Sequence, residues 1–181
     1  MKYKTIYLSR IRAESLGGYA LNCGDHLETM APSDFIPEGR CIYIFDEFTS
    51  ADSDTFAATL SVIDDERRIG QHRYPAMYAI ALCNPPEQAA NGNEIPLPVL
   101  NRLLIHEHTH LDEFFSWVSG EQTTGELERI WTLGLQLNIP VLVVGAPGTG
   151  KTKRAQAWAE SLPDDMPVSY THLTLPTNRE V

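Results

Sequence analysis

The sequence predicts an α/β layered fold with a mainly parallel, five-stranded sheet, on three observations. Its β-type runs are apolar almost without interruption, which suits strands covered on both faces. Segments with helical spacing lie between them. The connections are marked by Gly, Pro and Asn rather than by further apolar runs. Length agrees: 181 residues is about one domain's worth, and a chain of that size buries roughly 70% of its unfolded surface without a disulfide or metal staple.

In chain order, Lys4-Thr-Ile-Tyr-Leu-Ser9 is the first β-type run, and Gly17-Gly18 and Pro37-Glu38-Gly39 mark loops. Cys41-Ile-Tyr-Ile-Phe-Asp46 is the second run. Phe56, Leu60 and Ile63 then fall at i, i+4, i+7, a helical face. Met77-Tyr-Ala-Ile-Ala-Leu-Cys83 is the third run, followed by a loop rich in Asn, Gly and Pro over 84–98. Leu103-Leu-Ile-His-Glu-His108 is a weaker strand candidate leading into a helix at 111–118. Leu127, Ile130, Trp131 and Leu135 share one helical face, and Ile139-Pro-Val-Leu-Val-Val-Gly145 is a strand. Ala155, Trp158, Ala159 and Leu162 close the pattern with a helix. Strands alternating with helices of these lengths define the α/β class.

Charge and cysteine content exclude several classes. With 24 acidic against 14 basic side chains, the formal net charge is −10, the wrong sign for a dedicated duplex-binding module. Cys23, Cys41 and Cys83 are odd in number and never spaced C-x-x-C, so neither a disulfide framework nor a thiolate zinc site is expected, and a reducing cytoplasm fits. The N-terminus lacks the apolar core of a secretory signal. No apolar run approaches the ~20 residues of a membrane span.

The sharpest motif is the run Gly145, Ala146, Pro147, Gly148, Thr149, Gly150, Lys151 and Thr152, which fits G-x-x-x-x-G-K-[ST] between a β-run and a helix. All eight are expected to bind the nucleotide. Glycines let the backbone curl so that successive N–H groups point at phosphate oxygens, and the helix N-terminus adds a positive dipole end. Lys151 is expected to reach the β- and γ-phosphates of ATP, and Thr152 to offer its hydroxyl to Mg²⁺. The bland alternative is a glycine-rich turn with a surface lysine; chance produces the pattern in only ~1 of 400 such chains. A second acidic feature supports the motif. Asp46-Glu47 stands at the C-terminal end of a buried strand, where ligands of open α/β sheets gather. Asp46 is expected to hold Mg²⁺ through water, and Glu47 to orient and deprotonate an attacking water.

On these residues the chain resembles AAA+ ATPases, most closely the MoxR-like branch. The resemblance covers most of residues 3–167. It rests on the 145–152 loop, the Ile-Phe-Asp46-Glu47 strand end, the hairpin-like Arg68-Ile-Gly-Gln-His-Arg-Tyr-Pro75, Ala81-Leu-Cys-Asn84-Pro85 and Leu97-Pro-Val-Leu-Asn101-Arg102. It implies a P-loop three-layer sandwich, with Asn84 as the sensor that helps position the hydrolytic water. It implies Arg102 as an arginine finger serving a neighbouring subunit of a homo-oligomeric, hexameric ring. It also implies a protein client, with no membrane and no nucleic acid partner.

The order departs from the family's, because the glycine loop follows the Asp-Glu strand instead of preceding it. Each core strand nevertheless appears once, so the core is expected to be permuted or chimeric, and the lid domain is missing. Residues 1–118 carry the Asp46-Glu47, Asn84 and Arg102 portion, and 119–167 the glycine-loop portion. In the family's sheet the first strand lies between the fourth and fifth, so the rearranged chain can still close the same site. Residues 168–181 resemble one translated frame of a common transposase sequencing adapter, notably Val168-Ser-Tyr-Thr-His-Leu173, and carry no functional weight.

Two other classes compete. His106-Glu107-His-Thr-His110 satisfies H-E-x-x-H, in which two histidines on one helix bind zinc and the glutamate is the general base of a metallopeptidase. That reading needs a helix through 102–114 and a third ligand, for which His26 and His72 are the outside candidates; otherwise the segment is a polar strand end. The missing lid leaves room for a non-catalytic nucleotide-binding fragment.

Overall fold

A computed structural model describes residues 1–30, 32–64, 66–89, 92–108, 119–120 and 125–164. The helix expected at 111–118, His110 and the tail from 168 onward lie outside the described residues. The elements run β1 (Lys2–Tyr7), α1 (Glu14–Gly17), β2 (Tyr19–Asn22), β3 (Leu27–Met30), β4 (Cys41–Asp46), α2 (Ser53–Ile63), β5 (Arg68–Ile69) and β6 (His72–Arg73). They continue with β7 (Met77–Cys83), α3 (Leu97–Leu100), β8 (Leu104–His108), α4 (Glu126–Leu137), β9 (Val141–Gly145) and α5 (Lys151–Ser161).

The main sheet has five strands in the order β1-β4-β7-β9-β8, and every neighbouring pair is parallel. Helices cover both faces, as the α/β reading expects. The apolar runs of β4 and β7 are continuous because each strand feeds two cores. Tyr43, Phe45, Ala79 and Ala81 point to one face, where Phe56, Val62 and Ile63 of α2 pack. Ile42, Ile44, Ile80 and Leu82 point to the other, against Leu127, Trp131 and Leu135 of α4 and Ala155 and Trp158 of α5. Each such fully buried aliphatic or aromatic side chain contributes about 1.5–3 kcal/mol.

Local chemistry sets the helix ends. The Asp52 carboxylate accepts the Thr55 N–H at 2.7 Å and starts α2, the usual N-cap bond. Asn138, left-handed at φ 56°, stops α4. Gly134 lets α4 press onto the sheet: a Cβ there would stand 2.4 Å from the Tyr78 hydroxyl and from a Val141 methyl. Arg67 is buried and donates to the Met77 carbonyl (3.0 Å) and to Asn138 O and Oδ1 (3.1 and 2.9 Å), tying the start of β7 to the end of α4. Between α4 and α5, Arg154 grips both Glu128 carboxylate oxygens at 2.9 and 2.6 Å.

Three features differ from the sequence reading, the first being that the opening strand spans Lys2–Tyr7 and not 4–9. The weak strand candidate is a full edge strand of the sheet. Residues 19–30, for which the sequence reading named no element, form an antiparallel hairpin, whose turn is fastened by the Asn22 side chain accepting the Gly24 N–H at 2.9 Å. Arg68–Ile69 and His72–Arg73 pair as the expected small hairpin.

Candidate functional site

Three strands, β4, β7 and β9, end together, and the sequence-predicted residues other than Arg102 gather at their C-terminal ends. β9 runs into the 145–150 loop, and α5 begins at Lys151. Gly148 and Gly150 are left-handed at φ 82° and 72°, a conformation that glycine adopts without the steric cost a side chain brings. Gly145 answers a different need: a Cβ there would lie 2.8 Å from the His108 carbonyl oxygen of the adjoining strand. Inside the loop the buried Thr149 hydroxyl donates to the Ala146 carbonyl at 2.9 Å. No side chain caps the N-terminus of α5, so its positive dipole end faces this loop.

Pro147 departs from the expectation set for the rest of the loop. It stands exposed in the turn it shares with Gly148, and a proline has no backbone N–H to give a phosphate oxygen. Its ring fixes φ and so stiffens the turn. Pro147 keeps its place in the loop, and the backbone N–H groups that can donate to a phosphate there are those of its neighbours.

Lys151 is only 7% exposed. Its ammonium donates to the Gly145 and Ala146 carbonyls at 2.7 and 2.8 Å and to Asn84 Oδ1 at 3.2 Å. Burial pushes its pKa down from the ordinary lysine value, with the nearby Asp46 charge pulling the other way. Asn84 reaches the lysine because it directly follows β7.

Asp46 and Thr152 are 106 residues apart in sequence, yet the threonine hydroxyl donates to Asp46 Oδ2 at 2.6 Å. The other carboxylate oxygen accepts the Glu47 N–H at 2.8 Å. Glu47 itself sits in the left-handed region at φ 55°, turning the chain sharply out of β4. Its carboxylate accepts a hydrogen bond from the Ser9 hydroxyl. The cluster thus offers a cation and a helix N-terminus that suit an anionic phosphate group. Beside them, a carboxylate and a hydroxyl suit a hard divalent ion such as Mg²⁺.

Arg102 lies elsewhere. It precedes β8, at the sheet end opposite the glycine loop, and pairs with Asp64 at 3.2 Å and the Pro98 carbonyl at 2.6 Å. It lines a surface cavity with Asn138 and Pro140. Within one chain it does not join the site. For the H-E-x-x-H motif, residues 104–108 are strand, so His106 and Glu107 point to opposite faces and do not share the helix that reading needs; His110 lies outside the described residues. His26 is on the β2–β3 turn, hydrogen-bonded to Asp25, and His72 is in β6, both on elements other than β8.

Sequence reasoning missed Ser9. The segment after the first strand carried no assigned chemistry, and nothing local marks a serine that will meet a carboxylate 38 residues on. It also missed that His108 pairs in register with Gly145. The chain matches no family model, and no curated protein matches it in sequence. No helix among the described residues is long and apolar enough to cross a membrane.

Proposed function

We propose that this chain binds ATP with Mg²⁺ and hydrolyses it, as the rearranged α/β core of a MoxR-like AAA+ ATPase. The observation that carries the proposal is the 2.6 Å bond between Thr152 and Asp46, beside a buried Lys151 that reaches Asn84. That bond brings two motifs from distant parts of the chain into hydrogen-bonding contact, which supports reading them as one site. Backbone N–H groups of the loop, Pro147 excepted, and Lys151 bind the phosphates; Thr152 and Asp46 hold the metal, which neutralises charge on them. Glu47 takes the proton of the attacking water, and Asn84 orients that water. Arg102 acts on the neighbouring protomer of a homo-oligomeric ring, consistent with its outward position, and the ring's work is spent on a protein client.

Strand order supports the permuted reading. β9, which carries the glycine loop, lies between β7 and β8, the neighbours the resembled family gives its first strand. The Met1 amino group donates to the Leu162 carbonyl at 2.6 Å, so the end of α5 touches the start of β1, where the family's order would join them. The Ser9 bond to Glu47 favours a second reading, nucleotide binding without turnover, because it engages the carboxylate that must act as base.

The test is ATP binding and phosphate release by wild type, Lys151→Ala and Glu47→Gln. Binding lost in Lys151→Ala, with release lost but binding kept in Glu47→Gln, is the expected pattern. Binding without release in wild type selects the second reading. Equal ATP binding by wild type and Lys151→Ala overturns both.

A further inference from the structure

Beside the glycine loop, on the face of the sheet that α4 covers, a separate cluster assembles from residues the nucleotide site does not use. His106 and His108 alternate along β8 and so project to the same side, in register with Val143 and Gly145. Their rings stand 6.4 Å apart. Glu126, the first residue of α4, brings its carboxylate to 3.8 Å from His106 Nε2. One donor atom from each of the three lies within 4.8 Å of the others. Donors held ~2.0–2.1 Å from a tetrahedral zinc stand about 3.3 Å apart, so small side-chain rotations close the set.

The surroundings argue for a ligand. His106 Nε2 is shielded from solvent and has no hydrogen-bond partner among the described residues. A buried ring nitrogen left so costs stability, and an apolar side chain would pack better against neighbouring Leu104 and Val143. Glu126 is 46% exposed, which gives an ion a route in from water and leaves room for a solvent ligand. Two neutral imidazoles and one carboxylate form a set that suits Zn²⁺.

We propose that His106, His108 and Glu126 form a zinc site, independent of nucleotide binding. It differs from the H-E-x-x-H pairing in using neither Glu107 nor His110. Chelator-stripped full-length protein is titrated with Zn²⁺ against a chromophoric competitor, with circular dichroism confirming the fold of each variant. Wild type is expected to take up one zinc per chain. His106→Ala and the conservative, surface-accessible Glu126→Gln are each expected to weaken it by ~100-fold or more, at least the upper end seen for groups that merely support a ligand. His110→Ala and Cys23→Ser are expected to leave it unchanged. The proposal is overturned if wild type takes up no zinc, or if folded His106→Ala and Glu126→Gln bind as wild type does. It is also overturned if the loss follows His110→Ala or Cys23→Ser instead, which moves the ion to the H-E-x-x-H pair or to the Cys23-His26-Glu28 hairpin group.

Discussion

Two buried cations sit at opposite ends of the same sheet, and they are held in opposite ways. Arg67, where β7 starts, is surrounded by fixed backbone carbonyls and the Asn138 amide oxygen. Its planar fork matches those acceptors, so the charge is spent on bracing the fold. Lys151, at the far end, also touches carbonyls, but its other neighbours are a carboxylate, a hydroxyl and a side-chain amide at the mouth of a glycine loop. A flexible ammonium on the first residue of a helix, beside a loop whose glycines spare it side-chain bulk, can exchange partners, as the guanidinium locked among carbonyls cannot. Burial alone therefore does not mark a functional cation. What distinguishes Lys151 is exchangeable partners: a carboxylate, a hydroxyl and a side-chain amide.

The comparison can be broken or sharpened by substitution. Glu47→Gln is expected to slow phosphate release by ~10²–10⁴-fold, the range for loss of a general base, while equilibrium dialysis finds ATP affinity nearly unchanged. Lys151→Ala is expected to weaken ATP binding by ~10²–10³-fold, since it removes charge-assisted hydrogen bonds, with little change in urea stability. Glu128→Ala is expected to behave as a third kind of site. It strands the buried Arg154 and costs about 3–5 kcal/mol in chemical denaturation, without a specific effect on nucleotide affinity in the folded fraction. Arg67→Ala leaves buried acceptors unmet, costs about 1–3 kcal/mol, and spares nucleotide binding, the reverse of Lys151→Ala.

The smallest effect is one of pH. A lysine whose folded-state pKa lies below its unfolded value binds more protons when unfolded, so stability rises with pH between the two. Against Lys151→Met, the wild type is expected to gain stability from Lys151's depressed pKa up to about the ordinary 10.5, and to show no relative change below that window. Paired melts across alkaline pH read the sign directly; a relative loss in that interval would contradict a desolvated ammonium.

Legibility in the sequence followed the range of the interactions. β4, β7 and β9 were readable because strands buried on both faces need apolar residues at every position, and the glycine loop because its chemistry is local. Within that loop the motif marks positions, not roles, so the missing N–H of Pro147 sets it apart from its neighbours only once the backbone is considered. β8 was faint because an edge strand with one open face tolerates Ile105 and Glu107 outward and histidines inward. The first strand was read two residues late: it spans Lys2–Tyr7, not 4–9. Its early lysines look like solvent residues, although Lys4 is fastened to the Asp34 and Ile36 carbonyls. The β2–β3 hairpin gave little signal because its four-residue strands are too short for alternation to show, and its turn is closed by the Asn22–Gly24 bond and by the Cys23 N–H donating to the His26 carbonyl. In the site, the residue types were evident, but their meeting depends on which strands become neighbours, a non-local matter. Ser9 had no signal at all.

The position of β9 also bears on how the chain must fold. It fills the slot between β7 and β8, yet follows both in sequence. Until it arrives, those two strands have no bridge to each other, and each exposes a row of unpaired amides and carbonyls, the kind of edge that invites aggregation. Inserting a central strand late joins segments distant along the chain, which slows folding and prolongs that exposure. A nascent chain of this order therefore has more need of chaperone protection during synthesis than one whose central strand is made first.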